Sequence, residues 1–502
     1  MNRKPPRQRA YFEGRPPDVV EAMAHPGLFR AWFGDGAEPD TWANWKVILK
    51  AAFALPMSEA EKAFFRTVAE REPPRRRVKE VWIIAGRRAG KDSVASVVMG
   101  HAAAFFADIT RLRPGERALC ACLACDRDQA GIVLNYTRTF FEHIEPLQRM
   151  IVRETKTGFE LCNGIEVAVT TNSYRASRGR TILLAVLDEC AFYRDETSSN
   201  PDQELFAALK PGLATLPESM LIAISSPYRR SGLLYGKFKK HFGRDDEDVL
   251  VIRAPSTTLN PTLDPAVIEK ALEDDPSAAR AEWLAEFRTD IEGFVVQEVI
   301  DAVTVVGRYE LPPVAGATYV AYTDPSGGSS DSMTLAIAHR SRDGRALLDA
   351  IRERRPPFSP DDVVAEHCAL LKSYGVREVR GDRYGGEWPA ERFKVHGITY
   401  EPAEKSKSEL YGELLPVLNS GRCELLDHAR LRAQLLGLER RTSRSGKDSI
   451  DHAAAAHDDV ANAVAGAILM ALGHAPMIFT EEMVRQVGAA PRYDWMQAAQ
   501  RY

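Results

Sequence analysis

Between residues 80 and 254, five short apolar runs alternate with segments of helical periodicity: VWIIAG (81–86), ALCACLA (118–124), ILLAVLDE (182–189), MLIAISSP (220–227) and VLVIRA (249–254). Runs this apolar are buried on both faces, and alternation of strand with helix supplies the covering layers. The pattern predicts an α/β domain on a mostly parallel sheet. A hairpin turning at Asn163-Gly164 is expected near 150–170, and the helical stretch 277–288 closes the domain. At 502 residues the chain is too long for one core, so a second domain is expected.

After a Gly- and Pro-containing stretch at 290–315, the order changes. TYVAYTD (318–324), MTLAIAH (333–339) and ALLDAIRE (346–353) are strands joined by short turns. A helix, VREVRGD (376–382), another helix, ITYEPA (398–403) and further helical segments follow. Three meandering strands and then alternating helix and strand is the element order of the ribonuclease H fold. The expected organisation is an N-terminal arm (1–39, partly disordered), a P-loop (RecA/ASCE-like) ATPase domain with a helical lid (40–289) and a linker (290–315). A ribonuclease H-like nuclease domain (316–473) and a tail (474–502) complete it. In the lid, Trp42, Trp45, Phe53, Phe64 and Phe65 recur at helical spacing and read as packing residues.

Composition narrows the class. Hydrophobic residues at 45% and charged residues at 27% suit a globular protein, and no apolar run approaches the ~20 residues of a membrane span. The basic N-terminus lacks the apolar stretch of a secretory signal. Cys120, Cys122 and Cys125 lie on or beside a strand with no second ligand pair at zinc spacing, so they read as reduced core thiols of a cytosolic protein. A net charge of −4 excludes a globally basic nucleic-acid binder. Phosphate-backbone contact is left to local patches: Arg75, Arg76, Arg77 and Lys79; Arg229, Arg230, Lys237, Lys239 and Lys240; Arg440, Arg441, Arg444 and Lys447.

The first run leads straight into GRRAGKDS and then a helix. A strand turning through glycines into a helix N-terminus presents backbone N–H groups and the helix dipole to an anion. Gly86, Arg87, Arg88, Ala89, Gly90, Lys91, Asp92 and Ser93 are therefore the candidate ATP-binding turn, with Lys91 reaching the phosphates. The pattern is imperfect, because Ala85 stands where the first glycine belongs and Asp92 where a Ser or Thr meets magnesium. The third run ends in Asp188-Glu189, paired carboxylates suited to hold Mg²⁺ and polarise the attacking water. Ser225 and Ser226 end the next strand, where a hydroxyl can sense the γ-phosphate. Arg178, ahead of Asp188, is a candidate arginine finger; a surface-loop role remains open for it, as does a helix cap for the serines.

In the C-terminal half Asp324 ends the first strand, Asp382 the fourth, and HDDVANAVAGAILMAL (457–472) carries Asp458 and Asp459 in its first turn. In a ribonuclease H sheet these positions converge, and converging acids hold two Mg²⁺ or Mn²⁺ ions that hydrolyse a phosphodiester. Asp458 is equally suited to cap its helix. Asp331 is placed for an outer shell, and Lys405 and Lys407 for a DNA phosphate or a solvated helix start.

Taken together, GRRAGKDS, ACDRDQAGIVLN, the SRGRT-to-LLAVLDE stretch, ISSP, DPSGGSSDS, GDRYGGEW and HDDVANAV resemble, in order and spacing, the large terminase subunit of tailed bacteriophages and prophages across residues 40–472. The resemblance implies a packaging motor that hydrolyses ATP with Mg²⁺ to drive double-stranded DNA into a procapsid and cuts the concatemer. It implies a ring, commonly a pentamer, on the portal protein, a small terminase subunit as partner, and a place in the host bacterial cytoplasm and transiently at the portal vertex. By motif, Lys91 binds phosphates, Asp188 holds magnesium and Glu189 is catalytic. Ser225 and Ser226 couple, Arg178 is the finger, and Asp324, Asp382 and Asp458 or Asp459 ligate the nuclease metals. A repair-type helicase-nuclease would need a second RecA-like domain, a transposase or integrase has no use for the ATPase, and a non-enzymatic portal-binding module has no use for the acids.

Overall fold

The computed structural model describes residues 15–34, 40–105, 111–113, 115–124, 127–171, 179–193, 201–329, 331–383, 387–442, 448–453 and 456–473. The chain forms two compact units: one runs up to Gly293 and also takes in Glu439–Ser449, and the other holds Phe294–Leu438 with residues from Ile450 onward.

The first unit is built on eight strands: β1 (Glu80–Ala85), β2 (Ala118–Ala124), β3 (Ile151–Thr155), β4 (Gly158–Leu161), β5 (Ile165–Thr171), β6 (Ile182–Asp188), β7 (Met220–Ser225) and β8 (Val249–Ala254). Their order is β3-β4-β5-β2-β6-β7-β1-β8. The pairs from β5 to β8 are parallel, and β3 and β4 add an antiparallel edge. All five apolar runs are therefore neighbours, with the Asp188 strand two places from the Lys91 strand. Alternate residues feed two layers. Val81, Ile83, Cys120 and Cys122 enter one core, while Trp82, Ile84, Leu119 and Ala121 enter the other. Burial pushes the Cys120 and Cys122 thiols above their ordinary range, which suits inert core residues; Cys125 lies outside the described residues.

The stretch expected as an arm contributes to this core. A capping box at Asp18 and Glu21 starts the helix Val19–Ala24, and Val19, Met23, Phe29 and Phe33 are buried in the same layer as β1. Its hydrophobic residues were too few and too close to the Pro-rich start to show a period.

The expected linker also carries structure. It holds β9 (Ile291–Gly293), the helix Gln297–Val303 and β10 (Thr304–Val305). In the second unit follow β11 (Tyr319–Asp324), β12 (Met333–Arg340), β13 (Ala346–Arg354), β14 (Glu378–Gly381), β15 (Thr399–Pro402) and β16 (Cys423–Leu426). The sheet order is β10-β16-β13-β12-β11-β14-β15, with β11, β12 and β13 antiparallel and β14 parallel to β11. This is the ribonuclease H arrangement with two added edge strands. Beyond it come β17 (Leu438–Thr442) and β18 (Asp448–His452). β17 pairs antiparallel with β9, so a strand from late in the chain completes the first unit.

The helix Asp459–Leu472 packs across β11, β12 and β13. It comes so close that a Cβ on Gly466 would lie 2.2 Å from the Tyr322 ring. Gly466→Ala therefore forces the helix off the sheet, at a cost of about 1–3 kcal/mol. A shift of the urea midpoint to lower concentration is expected, and an unchanged midpoint would show that the contact is not rigid.

Candidate functional sites

The turn after β1 is held from outside. Arg87 N donates to Glu282 O at 2.6 Å, Ser256 Oγ to Arg87 O at 2.7 Å, Asn260 Nδ2 to Arg88 O at 2.8 Å and Trp45 Nε1 to Ala89 O at 2.7 Å. Arg88 (φ 60°) and Gly90 (φ 90°) are left-handed. A Cβ on Gly86 would fall 2.2 Å from Ser256 Oγ and 2.6 Å from Trp283 O, so the glycine one place late is the one the packing requires. A Cβ on Gly90 would meet the Trp42 ring at 3.0 Å. Trp42 and Trp45, expected as plain packing residues, brace the phosphate turn.

Lys91 opens the helix Lys91–Phe105 and is 6% exposed. Its Nζ donates to Gly86 O and Ser226 Oγ, each at 3.3 Å, and lies 3.5 Å from Glu189 Oε1. Glu189 takes the left-handed conformation (φ 47°, ψ 44°). Its Oε2 accepts from Ser225 Oγ and Ser226 N, both at 3.0 Å. The two serines are thus tied to Glu189 itself. Asp188 is 2% exposed, and its Oδ1 is buried without a hydrogen-bond partner. Burial, then the charges of Asp92 and Glu189, push its carboxyl up to about 8 against the pull of Lys91. Burial raises Asp92 as well. Hard oxygen donors with an excess of negative charge and an orphaned carboxylate oxygen fit Mg²⁺. Arg87, Arg88, Ala89, Gly90, Asp92 and Ser93 line an adjoining cleft of 590 Å³ with Gln129, Tyr136 and Phe192, Gln129 coming from the ACDRDQAGIVLN segment and Tyr136 from the residue after it. Arg178 lies outside the described residues.

In the second unit Asp324 ends β11, and Asp382 follows β14, its parallel neighbour. Asn462 Nδ2 donates to both, at 2.9 Å to Asp324 Oδ2 and 2.8 Å to Asp382 Oδ2. The Tyr322 hydroxyl donates to Asp382 Oδ1 at 2.5 Å. Burial and then the Asp382 charge hold the Asp324 carboxyl well above the usual range. Asn462 is fully buried, with its Oδ1 unpartnered. Two carboxylates brought together on one amide nitrogen at adjoining strand ends are hard oxygen donors that suit a divalent cation. Asn462 and Tyr322 escaped the sequence reading; the signal was Asn462 three residues after Asp459 on the same helix.

Asp458 and Asp459 are 3% and 8% exposed. Asp458 makes no capping bond; Lys407 Nζ reaches its Oδ1 at 3.1 Å and the Tyr411 hydroxyl its Oδ2 at 2.8 Å. Asp459 Oδ2 accepts from Ser332 N at 3.1 Å, and burial raises its carboxyl. The donor atoms of Asp451, His452 and Asp458 lie within 4.8 Å of one another. Among the described residues, Asp324 and Asp382 form no such triad with Asp458 or Asp459. Asp324 and Asp382 thus meet at Asn462, Asp458 lies with Asp451 and His452, and the charges of Asp459 and Asp458 both reach Asp324 and help to raise its carboxyl. Asp331 faces His457 at 3.3 Å, and Lys405 pairs with Glu413 at 2.6 Å.

Most of the basic patches are tied internally. Arg76 pairs with Asp248, the half-buried Arg77 donates to Glu218 O, Lys237 pairs with Glu80, and Arg440 and Arg441 pair with Asp448 and Glu439. Lys239 and Lys240 are exposed, whereas Arg444 and Lys447 lie outside the described residues.

No protein-family model matches this sequence, and no curated protein matches it. Solved phage large terminases are similar in structure. That of bacteriophage HK97 is 15% identical and aligns over 86% of this chain and 94% of its own, with a TM-score of 0.38. A large terminase from a thermophilic bacteriophage, in complex with ADP, is 11% identical over 85% of this chain and 98% of its own, at 0.35. The large terminase nuclease of thermophilic phage G20c, with bound magnesium, is 21% identical over 34% of this chain and 94% of its own, at 0.30.

Trp45→Phe keeps an aromatic ring but loses the indole N–H and some buried volume, leaving the Ala89 carbonyl unpaired, a loss of about 1–3 kcal/mol. Nucleotide affinity, measured with a fluorescent ATP analogue, is expected to fall while the circular dichroism spectrum is retained. Wild-type affinity would remove the tryptophan from the support of the turn.

Proposed function

We propose that the chain is a viral DNA-packaging motor subunit, hydrolysing ATP in its first unit to move double-stranded DNA into a procapsid and cutting concatemeric DNA in its second. The observation that carries this reading is the presence, on one chain, of a braced phosphate turn facing Glu189 and of a half-buried acid pair on adjoining ribonuclease H strands. In the first site Lys91 neutralises the β- and γ-phosphates, with Asp188 and either Asp92 or Ser93 holding Mg²⁺. Glu189, clamped by Ser225 and Ser226, orients the attacking water. Loss of the γ-phosphate then registers at the serines that hold Glu189. Arg178 is the proposed arginine finger.

In the second site Asp324, Asp382, Asp458 and Asp459 would hold two Mg²⁺ or Mn²⁺. When bound, such ions activate water and stabilise the leaving oxygen of a phosphodiester. Asn462 and Tyr322 keep Asp324 and Asp382 oriented for them. The proposed partners are the portal protein, a small terminase subunit and further copies in a ring, commonly a pentamer. The setting is the host bacterial cytoplasm, and no helix among the described residues is long and apolar enough to cross a membrane. The helicase-nuclease alternative is disfavoured because the second unit's sheet follows the ribonuclease H order instead of repeating the first unit's.

Glu189→Gln is expected to lower ATP turnover by about 10²–10⁴-fold with nucleotide binding kept. Equal turnover would remove Glu189 from catalysis. Asp382→Ala should abolish plasmid cleavage in Mg²⁺ or Mn²⁺ with ATPase intact, and unchanged nicking would unseat the acid assignment. The whole reading is tested by ATP-dependent protection of DNA inside matching procapsids; failure to package with both activities present would reject the motor role.

A further inference from the structure

We infer that Lys407 is an internal cation that occupies Asp458 in the metal-free protein and must leave before a divalent ion can use that carboxylate. This inference rests on the nuclease reading. Both Asp458 oxygens are taken, Oδ1 by the Lys407 ammonium at 3.1 Å and Oδ2 by the Tyr411 hydroxyl at 2.8 Å. The same ammonium lies 3.0 Å from Asp451 Oδ1. Its position is built in: Lys407 is the first residue of the helix Lys407–Asn419, started by a capping box at Ser406 and Glu409. Tyr411 follows one turn later, so one helical face delivers both groups to Asp458.

The other acids differ. Among the described residues, Asp324 and Asp382 receive only neutral donors, the Asn462 amide and the Tyr322 hydroxyl. An ion entering there meets no seated ammonium. At Asp458 an ion meets an ammonium already seated, and two cations cannot share that carboxylate without strong repulsion. With Lys407 in place the Asp451–Asp458 pair keeps one uncompensated negative charge; with Lys407 out it offers two, the complement of a divalent ion. Ion loading is therefore ordered, with the Asp324–Asp382 side filling first and the Asp458 side held back by the lysine.

The test is a Mn²⁺ titration of the full chain after chelator treatment, followed by electron paramagnetic resonance of free Mn²⁺. An Asp188→Asn background keeps the nucleotide site from being counted. Two sites of unequal affinity are expected, the tighter lost in Asp382→Asn and the weaker in Asp458→Asn. Lys407→Met should tighten the weaker site by about tenfold or more and leave the tighter within about twofold, while Lys407→Arg behaves as the parent. If circular dichroism shows the Met variant unfolded, Lys407→Gln takes its place. A weaker site unchanged or loosened by loss of the lysine overturns the inference and leaves the nuclease reading intact. Mn²⁺ binding that survives both Asp382→Asn and Asp458→Asn overturns that reading and the inference with it.

Discussion

Carboxylates crowded away from water govern both halves of this molecule. A buried acid costs several kcal/mol unless something opposes its charge. Here each acid is met differently. Asp188 keeps an unpartnered oxygen and a strongly raised pKa; Glu189 is shared between Lys91 and the serine pair. Asp324 and Asp382 share one amide, and Asp458 takes an ammonium and a phenol. These arrangements tolerate the acids without abolishing their negative field, as a site that must still attract cations requires.

Around the acids, the framework holds backbone in place. Three successive carbonyls of the phosphate turn are fastened by Ser256, Asn260 and Trp45, from segments distant in sequence. In the second unit Gly381 lets β14 approach β11, where a Cβ would meet Thr323 O at 2.5 Å, and Gly466 lets the last helix settle onto Tyr322. Small residues at those two points bring Asn462 within reach of both strand-end aspartates.

Much of this was legible in the residues. The five apolar runs became the five adjacent parallel strands, because burial on both faces leaves a signal in every residue. The order of the second sheet followed from three strands joined by short turns. The acids at strand ends and at Asp458-Asp459 were visible because a carboxylate closing an apolar run stands out against its neighbours. The helix Val19–Ala24, the structured stretch 291–305 and the return of β17 to β9 were not visible. Short elements carry too few residues to show a period, and pairing across 146 to 150 positions, as between Glu439 and Gly293 or Arg441 and Ile291, leaves no local trace.

What the sequence determined by itself was therefore the layered α/β character, the order of strands, and which residue types close them, since these depend on local periodicity and on chemistry carried by single side chains. Only the tertiary structure decided that Asn462 bridges Asp324 and Asp382, that Lys407 sits on Asp458, and that Trp45, Ser256 and Asn260, far from GRRAGKDS, hold its carbonyls. Those facts depend on distances of about 3 Å between residues brought together by packing, and nothing in a linear pattern encodes such distances.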